Sequence, residues 1–253
     1  MVNSKVGQIY IVGMGPGEKP AMTEEAFRCM ELADVIVGYT VYIDLVKEYF
    51  KDKEFYTTPM KQEIKRCRAC YDFALEGKNV AFICSGDAGV YGMAAPMLEL
   101  LPEYVNTDFS EENITIVPGV TAAISGAAVL GAPINHDFCV ISLSDLLTPW
   151  EAIEKRIACA IKGDFAIALY NPSSHKRHDY LQKACEIMLD AGAKEDRACG
   201  YVENIGREGE TATVCTLGEL KNASVNMFTT VFIGNTNTKI INNRLVTPRG
   251  YEL

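Results

Sequence analysis

The sequence predicts an α/β protein built as two consecutive α/β domains. Three observations carry that prediction. Short β-branched runs alternate with helical stretches along most of the chain, the pattern of a mainly parallel sheet covered on both faces. Glycine-rich or polar loops follow many of those runs. The 253 residues, 48% of them apolar and 23% charged, suffice for two cores of ordinary size.

The strand-like runs of the first half are residues 8–12, 34–37, 80–84 and 114–117. Between the first two lies a helical stretch over 23–33. Thr23 is placed to cap it, and Glu24 and Glu25 fill the first turn, where acids suit the helix dipole. The second half repeats the rhythm with runs at 138–142, 165–170, 197–203, 211–216 and 229–233. The adjacent runs after position 196 point to some antiparallel pairing. The sequence Gly-Ala-Pro-Ile-Asn at 131–135 suggests a boundary, with domains 1–130 and 131–253.

Residues 115–135 carry no charge and imitate a membrane span, yet they are rich in Gly, Ala, Ser and Thr and are broken by Pro118 and Gly119. Their transfer energy is small, and a strand followed by a buried helix is expected. No basic-then-apolar leader precedes the first strand, so a cytoplasmic setting is expected. A net charge of −9 leaves no overall attraction to nucleic acid or an anionic membrane, and a polyanionic ligand would need a local basic pocket. Nine scattered cysteines, an odd number, suit reduced thiols. Cys67 and Cys70 form a CxxC inside a helical stretch, where Ile64, Cys67, Tyr71 and Ala74 would share one packed face. With no second CxxC and no paired histidines, no metal is expected.

Six loops concentrate the chemistry: 13–17 (GMGPG), 85–92 (SGDAGVYG), 118–122 (PGVTA), 170–174 (YNPSS), 206–210 (GREGE) and 234–237 (GNTN). Open α/β sheets bind ligands at the carboxyl ends of their strands, and all six are expected there. The first loop is not a dinucleotide fingerprint: its spacing is GxGxG rather than GxGxxG, Pro16 stiffens it, and Glu18 sits where a phosphate would go. Asp87 lies between glycines after a buried run, suited either to accept from a ribose or ammonium or to cap the following helix.

On these residues the chain resembles the tetrapyrrole methylases. The matching stretches are VGMGPG, SGDAGVYGMA, VPGVTA and the late glycine loops, across nearly the whole length. Within that family, NHDFCVISLSDLLTPW (135–150) and LYNPSSHKR (169–177) resemble the branch that methylates C17 of precorrin-3B or cobalt-precorrin-3 and contracts the ring on the way to cobalamin. The resemblance implies an S-adenosylmethionine-dependent methyltransferase that releases S-adenosylhomocysteine, holds its cofactor in an interdomain cleft, and forms a homodimer.

Carried over by position, Gly86, Asp87, Val90, Tyr91, Thr121 and Ala122 would meet the cofactor from the first domain. Tyr170, Asn171, Gly206, Arg207, Thr229 and Thr230 would meet it from the second. Gly13, Gly15, Pro16 and Gly17 would border the tetrapyrrole. Many relatives have proline after the aspartate, where this chain has Ala88. Lys176 and Arg177, and the run Lys61, Lys65, Arg66 and Arg68, could pair with substrate carboxylates or form solvated faces.

Ring contraction needs managed proton transfers. Of three histidines, His136 is expected at the cleft with Asp145 orienting it or acting separately; the alternative is a structural His136. Other methylases of the family, acting on a different ring carbon or on RNA or protein, are rival readings. So is a module that binds a tetrapyrrole or the cofactor without chemistry.

Overall fold

The computed structural model describes residues 6–104, 107–174 and 178–252. The chain divides into two compact units, Met1–Thr121 and Ala122–Leu253.

The first unit runs β1 (Ile9–Gly13), α1 (Glu24–Leu32), β2 (Val35–Tyr39), α2 (Thr40–Val46), β3 (Glu54–Thr58), α3 (Glu63–Leu75), β4 (Val80–Cys84), α4 (Ala94–Leu100) and β5 (Ile114–Val117). Its strands form one sheet in the order β3-β2-β4-β1-β5, and every pairing is parallel. Period-2 alternation turns successive apolar residues to opposite faces. Ile9, Ile11, Val35, Val37, Val80 and Phe82 face the side where Cys67, Cys70, Tyr71, Ala74 and Met97 pack. Val12, Ile36, Ala81, Ile83 and Val117 face Ala26, Met30, Ile43 and Val46. Thr23 caps α1 as expected, its Oγ1 accepting from the Ala26 N–H at 3.1 Å.

The second unit runs α5 (Ala122–Leu130), β6 (Gly131–Ala132), β7 (Phe138–Ser142), α6 (Trp150–Lys162), β8 (Ala166–Tyr170), α7 (Tyr180–Asp190), β9 (Ala198–Glu203), β10 (Thr211–Thr216), α8 (Leu217–Leu220), β11 (Thr229–Ile233), β12 (Lys239–Ile241) and β13 (Arg244–Val246). Its main sheet has the order β10-β9-β11-β8-β7. Only β7 and β8 are parallel; the other neighbours are antiparallel, as the closely spaced late runs suggested. A small sheet, β12-β13-β6, was not foreseen.

Three expectations are corrected. The boundary falls between Thr121 and Ala122 rather than after residue 130, because α5 packs on the second sheet. A Cβ added to Gly126 of that helix would lie 2.8 Å from both Ile205 and Phe232. Ile64 does not share the packed face of α3; it is 48% exposed, while Cys67, Cys70, Tyr71 and Ala74 are fully buried. β3 was missed. It is an edge strand whose only buried residue is Thr58, so it shows no apolar run to find. The uncharged 115–135 stretch is a strand, a turn and a nine-residue helix. Among the described residues, no helix is long and apolar enough to cross a membrane.

Candidate active site

In the first unit β4, β1 and β5 are neighbours in parallel, so the loops that follow them emerge side by side at one sheet edge. The three loops interlock through backbone. Met14 N–H donates to the Cys84 carbonyl at 2.9 Å, and Gly15 and Gly86 exchange both N–H···O bonds at 3.0 and 2.7 Å. A Cβ on Gly119 would stand 2.2 Å from the Gly86 oxygen, and one on Gly13 would stand 2.7 Å from the Gly119 nitrogen. Gly13, Gly86 and Gly119 are therefore small so that loops can touch, and Gly15 and Gly86 also adopt positive φ of 70° and 71°. The amides of Met14 and Gly15 are spent on the neighbouring loop, which agrees with the non-dinucleotide reading. No α-helix begins directly at this turn either: a single 3-10 turn, Lys19–Ala21, follows it, and α1 starts only at Glu24.

Asp87 is half-buried at the centre of this arrangement. Its Oδ2 accepts from Gly119 N–H at 2.9 Å and its Oδ1 from Gly89 N–H at 2.8 Å. Further along the loop Val90 is half-buried, and Tyr91 is 58% exposed with φ of 54°, a left-handed backbone that an aromatic residue adopts only when its surroundings impose it. Gly13, Gly15, Pro16 and Gly17 are all buried.

In the second unit the carboxyl ends of β7, β8 and β9 share one edge with the start of β11. That edge brings together Tyr170, Asn171, Gly206, Arg207, Thr229 and Thr230. Asn171, with φ of 54°, donates from Nδ2 to Ser142 Oγ at 2.9 Å. Ser142, which sequence reading passed over, is paired in register with Tyr170. Tyr170 Oη accepts from Ala123 N–H at 2.7 Å, and Gly206 N–H donates to Glu210 Oε2 at 2.7 Å. Thr229 and Thr230 are buried.

The loop 234–237 does not join them. Because β11 runs antiparallel to β8, with Val231 opposite Leu169 and Ile233 opposite Ile167, its carboxyl end lies at the other edge of the sheet. There Thr236 N–H bonds Asp164 Oδ1 at 2.9 Å, and Arg197 Nη2 reaches the same oxygen at 3.2 Å.

The expected pairing of His136 with Asp145 is also corrected. It is exposed and precedes β7, at the amino end of that strand, whereas Asp145 follows the carboxyl end. The five-residue strand between them spans about 16 Å at roughly 3.3 Å per residue, so Asp145 does not orient His136. Asp145 instead accepts from Tyr180 Oη at 2.6 Å, and the Tyr180 ring packs on Trp150 with centroids 4.5 Å apart. Replacing His136 by alanine is expected to leave cofactor affinity and turnover within about twofold of wild type, as for an exposed substitution at the end of its sheet opposite the 170–171 and 206–207 loops. A steady-state assay and a cofactor titration check this.

The basic run divides. Arg66 is buried: its Nη1 donates to Thr58 Oγ1 at 2.7 Å, to Pro59 O at 3.0 Å and to Thr58 O at 3.2 Å. Arg68 pairs with Glu103, with one contact at 3.0 Å. Lys61 and Lys65 are exposed. Lys176 and Arg177 lie outside the described residues.

Burial pushes the Cys67 thiol up to about 11 and Cys84 to about 12, and Cys70 is also pushed well up. These thiols stay protonated at neutral pH and act as core residues. Among the described residues, no group of three or more His, Cys, Asp or Glu is arranged to hold a metal.

A parallel sheet and a mixed sheet, each gathering glycine-turned polar loops at its strand ends, define an α/β protein of the kind that binds small ligands beside its sheets. The chain belongs to the tetrapyrrole (corrin/porphyrin) methylases, whose family model matches residues 8–221. It is 44% identical over 245 residues to a probable cobalt-factor III C(17)-methyltransferase of Salmonella typhimurium, covering 97% of this chain and all of that one. It is 34% identical to a precorrin-3B C(17)-methyltransferase of a Sinorhizobium species, covering 97% of each chain. The crystal structure of the methyltransferase CobJ superposes with a TM-score of 0.86 at 33% identity, over 96% of this chain and all of that one.

Proposed function

We propose that this chain is an S-adenosylmethionine-dependent methyltransferase that methylates C17 of a tetrapyrrole and contracts its ring, in cobalamin biosynthesis. The observation that carries this is the full-length match, at 44% identity, to a relative named for C17 methylation of cobalt-factor III. The lower identity, 34%, to the precorrin-3B relative favours a cobalt-bearing substrate over a metal-free one. The homodimer and the cytoplasmic setting belong to the same proposal.

The residues at the two loop edges suit the cofactor. They are neutral or acidic: Asp87, Val90, Tyr91, Thr121 and Ala122 in the first unit, and Tyr170, Asn171, Gly206, Thr229 and Thr230 in the second, with Arg207 the one cation. That set matches a sulfonium, an ammonium and ribose hydroxyls better than a pyrophosphate. When bound, the cofactor supplies a methyl group already activated by its sulfonium. For the methyl transfer itself the chain's residues need only align that methyl with a nucleophilic ring carbon and exclude water, so that step requires no activated serine or cysteine; ring contraction further requires proton transfers. Gly13, Gly15, Pro16 and Gly17 are proposed on the tetrapyrrole side.

Purified protein incubated with methyl-labelled S-adenosylmethionine should transfer label to cobalt-factor III and do so faster than to precorrin-3B, as read by mass spectrometry. Cofactor binding with no label on either substrate would mean a binding module. Faster labelling of precorrin-3B would reverse the choice of substrate.

A further inference from the structure

The chain passes from β5 into α5 through residues 118–121, and a side chain from a distant strand end fixes the backbone on each side of this passage. Within the first unit, Asp87 Oδ2 holds Gly119 N–H at 2.9 Å from 32 residues away. Gly119 lies beyond the last paired residue of β5, Val117, so the sheet ladder offers that N–H no partner. Within the second unit, Tyr170 Oη holds Ala123 N–H at 2.7 Å from 47 residues away. Ala123 is in the first turn of α5, where N–H groups have no carbonyl partner inside the helix. A phenol that closes β8 thus supplies an acceptor that the helix cannot.

Both side chains were expected to touch the cofactor. We propose that, beyond any contact of their own, Asp87 and Tyr170 are positioning residues: they act on the cofactor through the 119–123 backbone, holding Thr121 and Ala122 in place to receive it. The inference rests on the cofactor reading above. Asp87 suits the task because its two oxygens hold Gly119 and Gly89 together, tying the loop after β4 to the turn after β5. Tyr170 suits it because β8 is paired on both sides, by β7 and β11, which makes its end a firm anchor.

Tyr170→Phe removes one oxygen and Asp87→Asn keeps the side chain's size, so both variants should fold, which circular dichroism checks. Amide exchange in the free protein should quicken about tenfold at Ala123 in Tyr170→Phe and at Gly119 in Asp87→Asn, the scale expected for losing a helix cap or a charged acceptor. Calorimetric titration with S-adenosylhomocysteine should give about fivefold weaker binding for each variant. In the double variant the loss should fall well short of the product of the two, because the segment is already loosened by the first change. Normal exchange at Ala123 in Tyr170→Phe, or losses of affinity that multiply, would overturn the proposal while leaving the cofactor assignment standing. A wild-type protein that fails to bind S-adenosylhomocysteine would overturn both.

Discussion

Adding a single methyl group at Gly119 is expected to remove about 3 kcal/mol of stability, at the upper end of the usual range for overpacking. The added Cβ would stand 2.2 Å from the Gly86 oxygen, 2.4 Å from the Gly13 oxygen and 2.5 Å from the Gly13 carbonyl carbon. All three are backbone atoms, so no rotamer change relieves the clash. The loops themselves are pinned: Gly15 and Gly86 bond each other twice, and Asp87 holds Gly119. Relief would require breaking those bonds, and cofactor binding should fail along with stability. Urea denaturation of Gly119→Ala measures the cost. Gly218→Ala is the control, because its nearest neighbour would be the Glu195 Cβ at an ordinary 3.4 Å. A cost at Gly119 no larger than the control's would mean that the three loops slide past one another freely.

The second large effect is expected at Arg66, where alanine should cost about 3 kcal/mol, on the scale of several hydrogen bonds to a charged group. The side chain is 5% exposed, and one nitrogen serves three oxygens of Thr58 and Pro59 where β3 ends. Truncation leaves those oxygens without their partner and opens a void beside the Tyr39 ring, whose centroid lies 6.0 Å from the guanidinium carbon. Glu63 is the nearest carboxylate, at 3.5 Å, so the lost term is hydrogen bonding more than an ion pair. Arg66→Met should recover part of the loss by filling the volume. Thermal or urea unfolding checks the series, with Lys65→Ala, an exposed neighbour, expected to be neutral. If Arg66→Ala were as stable as wild type and raised only the substrate's Michaelis constant, Arg66 would be a substrate cation after all.

Much of this architecture was legible in the residues. Runs such as Val80–Cys84 and Thr229–Ile233 are β-branched or apolar and bounded by turn residues, so their strands appear where local pattern places them. Thr23 caps α1 because capping depends on chemistry two or three residues away. The long motifs carried the family in the same local fashion.

Tertiary structure decided the rest, for reasons that share one cause: each depends on partners far away in sequence. The direction of β11 follows from its antiparallel pairing with β8 and β9, and it alone sends the 234–237 loop to the far edge of the sheet. The side of β7 on which His136 and Asp145 fall is likewise a matter of where a strand begins, and it separates two residues that read as partners. Arg66 looks like a surface charge in a basic run, yet the end of β3 supplies oxygens that make its burial tolerable. Asp87 and Tyr170 announce acceptor chemistry by their residue types alone. That their acceptors meet backbone N–H groups 32 and 47 residues away is settled only when the sheets set β4 beside β1 and place β8 within reach of α5.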